Sequence, residues 1–164
     1  MHSHEGQHCI KVLVADDDEH VLDCYRVAFS DEEPTNHMKA LDALAAELFD
    51  PETDIVEQPV FEIVACSQGE DAVDLARAAA DDGDPFDVVI LDVRMPPGID
   101  GVEAGSRIRA LDPEVEIVFV TGYSDIPLEE LQRRVPPPMK LHYFNKPLSF
   151  TDLANDVASM VKPH

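Results

Sequence analysis

The chain has 164 residues, enough for one well-packed domain and short for two. Its 45% hydrophobic content suits a folded core, but its net charge of −22 argues against direct binding to nucleic acid or an anionic membrane, since phosphates would be repelled. No run of 18 or more apolar residues exists, so no membrane span is predicted.

Residues 1–9 read as a disordered tail. They contain His2, His4 and His8 but lack the apolar core of a signal peptide. Cys9, Cys24 and Cys66 have no metal-binding spacing and are odd in number, so reduced thiols in a cytoplasmic protein are expected.

Ile10-Lys11-Val12-Leu13-Val14-Ala15 predicts the first strand, which runs into Asp16-Asp17-Asp18-Glu19. Adjacent carboxylates repel one another unless a cation or a lysine neutralises them. Acids also suit a helix start, where the macrodipole favours negative charge. An EF-hand loop fits poorly, because His20, Val21 and Val27 stand where it needs an acid, a glycine and a glutamate. The helix that follows carries Val21, Leu22, Tyr25 and Phe29 at helical spacing.

Residues 31–59 read as an insertion, with Pro34 and Pro59 near its ends. Met38, Leu41, Leu44, Ala45, Leu48 and Phe49 predict an extra amphipathic helix there, with Thr35 or Asn36 as N-cap. Packing onto its own domain and docking a partner are its two open roles.

Val60-Phe61-Glu62-Ile63-Val64-Ala65 is the second predicted strand, and Ser67-Gln68-Gly69-Glu70 reads as a capping box. The helix it opens has Ala72, Val73, Ala76 and Ala79 or Ala80 on one face. The third strand, 86–92, contains Val88-Val89-Ile90-Leu91, an apolar run suited to burial on both faces, and closes on Asp92. Pro96 and Pro97 then stop regular structure. Asp100 and Glu103 take capping-box positions in a helix running to about Leu111.

The fourth strand, 115–120, ends at Thr121-Gly122-Tyr123. A shorter helix with Leu128, Leu131 and Val135 is stopped by Pro136-Pro137-Pro138. The fifth strand, 139–144, ends at Asn145-Lys146-Pro147, and Ser149-Phe150-Thr151-Asp152 caps a last helix bearing Leu153, Val157, Met160 and Val161.

Strands alternating with helices predict an α/β fold, a doubly wound five-stranded parallel sheet covered on both faces. The carboxyl ends of parallel strands share one edge, where such folds place their ligands. That edge would collect Asp16, Asp17, Asp18, Asp92, Thr121 and Lys146. Phosphoryl transfer to a carboxylate needs such a set. An aspartate can attack phosphorus and form an acyl phosphate. Acids can hold a Mg²⁺ that offsets phosphoryl charge, and a lysine and a hydroxyl can donate to the same oxygens.

These motifs resemble those of response-regulator receiver domains, the phospho-accepting modules of two-component signalling. The resemblance spans residues 10–162 apart from the insertion. It implies strand order 2-1-3-4-5; the extra helix read from 31–59 would fall between helix one and strand two. In Val-Leu-Val-Ala-Asp-Asp-Asp, it implies that Asp17 ligates Mg²⁺ or Mn²⁺ directly and Asp16 through water. In Leu-Asp-Val-Arg-Met-Pro, Asp92 matches the phospho-acceptor and a metal ligand, and the backbone carbonyl of Arg94 the third protein ligand. Thr121 matches the switch hydroxyl, Tyr143 the switch aromatic, and Lys146-Pro147 the lysine before a commonly cis proline. Arg94 and Tyr123 would flank the phosphate and tune water access.

The expected partner is a sensor histidine kinase or a phosphotransfer protein, and the chemistry is self-catalysed transfer and dephosphorylation at Asp92 rather than turnover of a separate substrate. The helix around 128–135, the fifth strand and the last helix would form the switching surface, open to output domains or to a second copy. The loop around Pro96-Pro97-Gly98-Ile99-Asp100-Gly101 is one residue longer than usual for the family, and 31–59 exceeds its usual connection. These motifs also resemble a subgroup found in larger kinase or cyclic-di-GMP signalling proteins. A haloacid-dehalogenase phosphatase is disfavoured because Arg94 stands where that family needs a second acid. An interaction module that is never phosphorylated is disfavoured by the complete acid, hydroxyl and lysine set.

Overall fold

The computed structural model describes residues 9–29, 60–96, 98–121, 126–146 and 149–161. The predicted inserted helix with Met38 to Phe49, the histidines of the tail, Tyr123 and Pro147 lie outside them.

Five parallel strands form one sheet in the order β2-β1-β3-β4-β5. They are β1 (Cys9–Ala15), β2 (Val60–Cys66), β3 (Val88–Asp92), β4 (Glu116–Thr121) and β5 (Leu141–Asn145). Every residue of β3 is buried, as its unbroken apolar run requires of a central strand. The side chains alternate between two cores. Leu13, Val89, Leu91, Ile117 and Phe119 face one layer, while Val12, Val14, Ile90 and Val118 face the other.

Helices α2 (Gly69–Asp81), α3 (Gly101–Leu111) and α4 (Leu128–Arg134) cover the first face with Ala72, Val73, Ala76, Val102, Ile108 and Leu131. Helices α1 (Glu19–Ala28) and α5 (Phe150–Met160) cover the second with Leu22, Tyr25, Leu153 and Val157. Tyr25 packs edge-on against Phe150, with ring centroids 4.9 Å apart.

Several local expectations are corrected. Cys9 belongs to β1 and pairs with Val60, so the sheet takes one residue from the predicted tail. The third strand begins at Val88 rather than 86; just before it, the Asp87 carboxylate accepts the Lys11 N–H at 3.0 Å while the Asp87 N–H donates to the Lys11 carbonyl at 2.9 Å. The fourth begins at Glu116, one residue later than predicted. The fifth begins at Leu141. Pro138–Lys140 forms a 3₁₀ turn closed by Lys140 N–H to the Pro137 carbonyl at 3.0 Å, which leaves Met139 exposed.

The α3 and α5 caps form as expected. Asp100 accepts from the Glu103 N–H at 2.8 Å, and Ser149 from that of Asp152 at 3.2 Å. The capping box at Ser67–Glu70 does not form. The N-cap of α2 is Gln68, with no side-chain cap, because its side chain and that of Glu70 are engaged elsewhere.

At the amino edge of the sheet, Arg109 of α3 is buried and gathers three carbonyls. Its Nη1 donates to Pro113 at 3.2 Å and to Val115, and its Nη2 to Lys140 at 2.8 Å. This joins the approaches to β4 and β5. The Pro136–Pro137 peptide is cis.

Candidate functional site

The carboxyl edge of the sheet brings together Asp16, Asp17, Asp92, Thr121 and Lys146 of the predicted set. The β1–β3 register pairs Ala15 with Leu91, so the next residue of each strand, Asp16 and Asp92, stand side by side. Asp16, Asp17 and Asp92 each offer a carboxylate oxygen within 4.8 Å of the others. Asp16 and Asp92 are buried, whereas Asp17 is exposed. The third acid of the run does different work. Asp18 is the N-cap of α1, accepting the His20 N–H at 2.9 Å, and its own N–H donates to Asp16 Oδ1 at 2.9 Å.

Lys146 reaches this cluster from the end of β5. Its Nζ lies 3.3 Å from Asp92 Oδ2 and 3.6 Å from Asp16 Oδ2. The first contact is a charge-assisted hydrogen bond; the second is an ion pair beyond hydrogen-bonding range. Backbone geometry holds the lysine there, since its N–H donates to the Thr121 carbonyl at 2.7 Å. Thr121 ends β4 fully buried, one position beyond Val120, which pairs with Asp92. Tyr143 lies one position along β5 from Phe144 and packs, partly buried, against the layer of α2, α3 and α4. Arg94 is exposed, and its N–H supports the Asp92 carboxylate. Tyr123 and the Lys146–Pro147 bond lie outside the described residues.

Burial sets the electrostatics. It raises Asp16 from 3.8 to about 6, against the Asp18 N–H, and Asp92 adds to the rise. Burial also raises Asp92, while Lys146 and the Arg94 N–H pull it down. Lys146 is disfavoured by burial, yet Asp16 and Asp92 outweigh that and raise its pKa. Asp16 Oδ2 is buried with no hydrogen-bond partner. Three convergent carboxylates, one with an orphaned buried oxygen, fit a hard divalent cation.

The loop leaving this site is closed tightly. Gly101 N–H donates to the Val93 carbonyl at 2.8 Å, and a Cβ at Gly101 would collide with the carbonyl oxygen of Asp92. Val93 and Gly101 therefore meet beside Asp92.

An open parallel sheet with a buried aspartate, an acidic pair and a lysine at its carboxyl edge defines a receiver-type α/β domain. The model of the response regulator receiver domain matches residues 52–158, and the chain belongs to that family. The matched stretch begins after β1, so the acidic pair joins the site through the sheet. A response regulator receiver protein, CpdR of Brucella abortus, is 30% identical over 78 residues, covering 48% of this chain and 62% of that protein. The sensor kinase CckA of the same organism is 31% identical over 80 residues, 49% of this chain and 8% of that one. The chain thus spans less than two thirds of either relative. The crystal structure of a response regulator receiver protein from Sinorhizobium medicae superposes with a TM-score of 0.62 at 22% identity, covering 93% of this chain and 94% of that one, and shows the shared fold. Among the described residues no helix is long and apolar enough to cross a membrane.

Proposed function

We propose that this receiver domain accepts a phosphoryl group on Asp92 from the phosphohistidine of a sensor histidine kinase or phosphotransfer protein. The observation that carries this reading is the Asp92 carboxylate, set between the acids of β1 and the Lys146 ammonium. An Asp92 oxygen attacks phosphorus, the P–N bond breaks, and its electron pair leaves with the imidazole. Lys146 offsets charge on the phosphoryl oxygens, and the Arg94 N–H keeps the carboxylate oriented. Asp16, Asp17, Asp92 and the Arg94 carbonyl are the groups to hold Mg²⁺ or Mn²⁺, which when bound would neutralise phosphoryl charge.

Thr121 then engages the phosphate, and Tyr143 shifts with it. Together they bias a two-state surface built from α4, β5 and α5, which meets output domains or a second copy. The chemistry is self-catalysed transfer and later hydrolysis at one residue. The protein works in the cytoplasm, as a module of a larger signalling system.

The test is intact mass after incubation with acetyl phosphate or a phosphoramidate and Mg²⁺, with wild type beside Asp92→Asn. The expected result is one phosphoryl group on wild type alone, lost when Mg²⁺ is omitted. A folded wild-type protein that never acquires the adduct, with rapid hydrolysis excluded, would overturn the reading in favour of a phosphorylation-independent interaction module.

A further inference from the structure

We propose that Gln68 and Glu70 are positioning residues for the metal-binding loop: from the start of α2 they clamp Pro96, Gly98 and Ile99 and so fix the Asp92–Arg94 segment. The inference rests on the reading above that this segment supplies ligands to Mg²⁺.

The motif was expected to cap its own helix, and it does not. Glu70 Oε2 instead accepts the N–H of Ile99 at 3.2 Å. The Gln68 amide spans the same loop. Its Nε2 donates to the Pro96 carbonyl at 3.4 Å, and its Oε1 accepts the Gly98 N–H at 3.3 Å. A primary amide that donates to one residue and accepts from another two positions on mimics the edge of a strand. The loop has need of outside partners, because Pro96 and Pro97 have no N–H to contribute to a turn of its own.

Steric fit points the same way. A Cβ at Gly98 would strike the Glu70 carboxylate and lie 2.9 Å from Gln68 Oε1. Across the junction, a Cβ at Gly69 would lie 2.9 Å from Ile99 Cγ1 and 3.0 Å from its carbonyl oxygen. Both sides thus carry glycine where they touch, and Ile99 packs against the core beneath. The far end of the loop is closed by Gly101 against Asp92 and Val93. With Gly101 fixed against Val93 and with Pro96, Gly98 and Ile99 gripped, displacement at those contacts is passed to Arg94 and its carbonyl.

The test uses the full chain and calorimetric titration with Mg²⁺, alongside amide hydrogen exchange at Gly98 and Ile99. Gln68→Ala/Glu70→Ala should accelerate both exchanges and weaken Mg²⁺ binding about tenfold, as loss of outer support typically does, while the melting temperature without metal stays near wild type. Glu70→Gln keeps an acceptor and should restore most of the Ile99 protection and the affinity. Faster exchange with unchanged Mg²⁺ affinity would overturn the inference, leaving the clamp a local loop contact. Unchanged exchange would show that the clamp does not hold the loop, and would overturn it as well. A wild-type protein that binds no Mg²⁺ would instead remove the functional reading, and this inference with it.

Discussion

Asp16 and Lys146, at opposite ends of the chain, meet with Oδ2 and Nζ 3.6 Å apart, and that oxygen has no hydrogen-bond partner. The lysine is shared with Asp92 and cannot satisfy both acids equally. Asp16 is therefore a buried acid that is only half compensated, and its carboxyl is held up at about 6.

This gives the metal-free protein an unusual pH dependence. A carboxyl raised in the folded state contributes stability below its unfolded value of 3.8 and loses it as pH rises through about 6. The interval corresponds to about 3 kcal/mol. Asp92, also raised, acts in the same direction. In chelator, urea stability should rise as pH falls from 7 to 5, and Asp16→Asn should flatten that slope and stabilise the protein at pH 7. A slope that survives the substitution would place the titrating group elsewhere.

Lys146→Met should remove the ammonium that opposes the burial-driven rise of the Asp92 carboxyl and that would face the phosphoryl oxygens. Adduct formation from acetyl phosphate should fall about a hundredfold or more, typical for loss of one preorganised donor. Far-UV circular dichroism should be unchanged. An adduct rate within threefold of wild type would remove Lys146 from the chemistry.

Gly101→Ala should destabilise the protein by about 2–3 kcal/mol through overpacking, because the new methyl meets the Asp92 carbonyl rather than a pliable side chain. Intrinsic helix propensity favours alanine over glycine, so a net gain in urea midpoint would contradict this close approach.

Arg109→Met keeps much of the side-chain volume but leaves the carbonyls of Pro113, Val115 and Lys140 without their donor. A loss of about 2–4 kcal/mol is expected in denaturant unfolding. Arg109→Lys should recover little, since one ammonium cannot reproduce a planar fork that serves both Val115 and Lys140. Full recovery by lysine would reduce the residue's role to its charge.

The fold was legible because it rests on period and punctuation. The unbroken apolar run before Asp92 marks a central strand, and Ala72, Val73 and Ala76 mark the inner face of α2. The site was legible because strand ends in a parallel sheet share one edge, which brings Asp16 beside Asp92. Local patterns were less informative. Asp16, Asp17 and Asp18 are chemically alike, and only backbone geometry makes one a buried acid, one an exposed acid and one a helix cap. Ser67 to Glu70 satisfies the spacing of a capping box, but a loop nearly thirty residues away competes for its side chains and wins. The start of β5 was misplaced because Met139 is apolar, while the turn at Pro138–Lys140 directs it to solvent.

The position of β1 has a kinetic consequence. It is an inner strand, bonded on one side to β2 and on the other to β3, and both partners follow it at long range in the chain. Parallel pairing over such separations is slow, because loop-closure entropy must be met before any contact forms. During synthesis the acids of β1 emerge well before Asp92, and the two become neighbours only when the central sheet is assembled. The acidic cluster thus exists only once β1 and β3 are paired, and an unfolded chain presents the same carboxylates far apart.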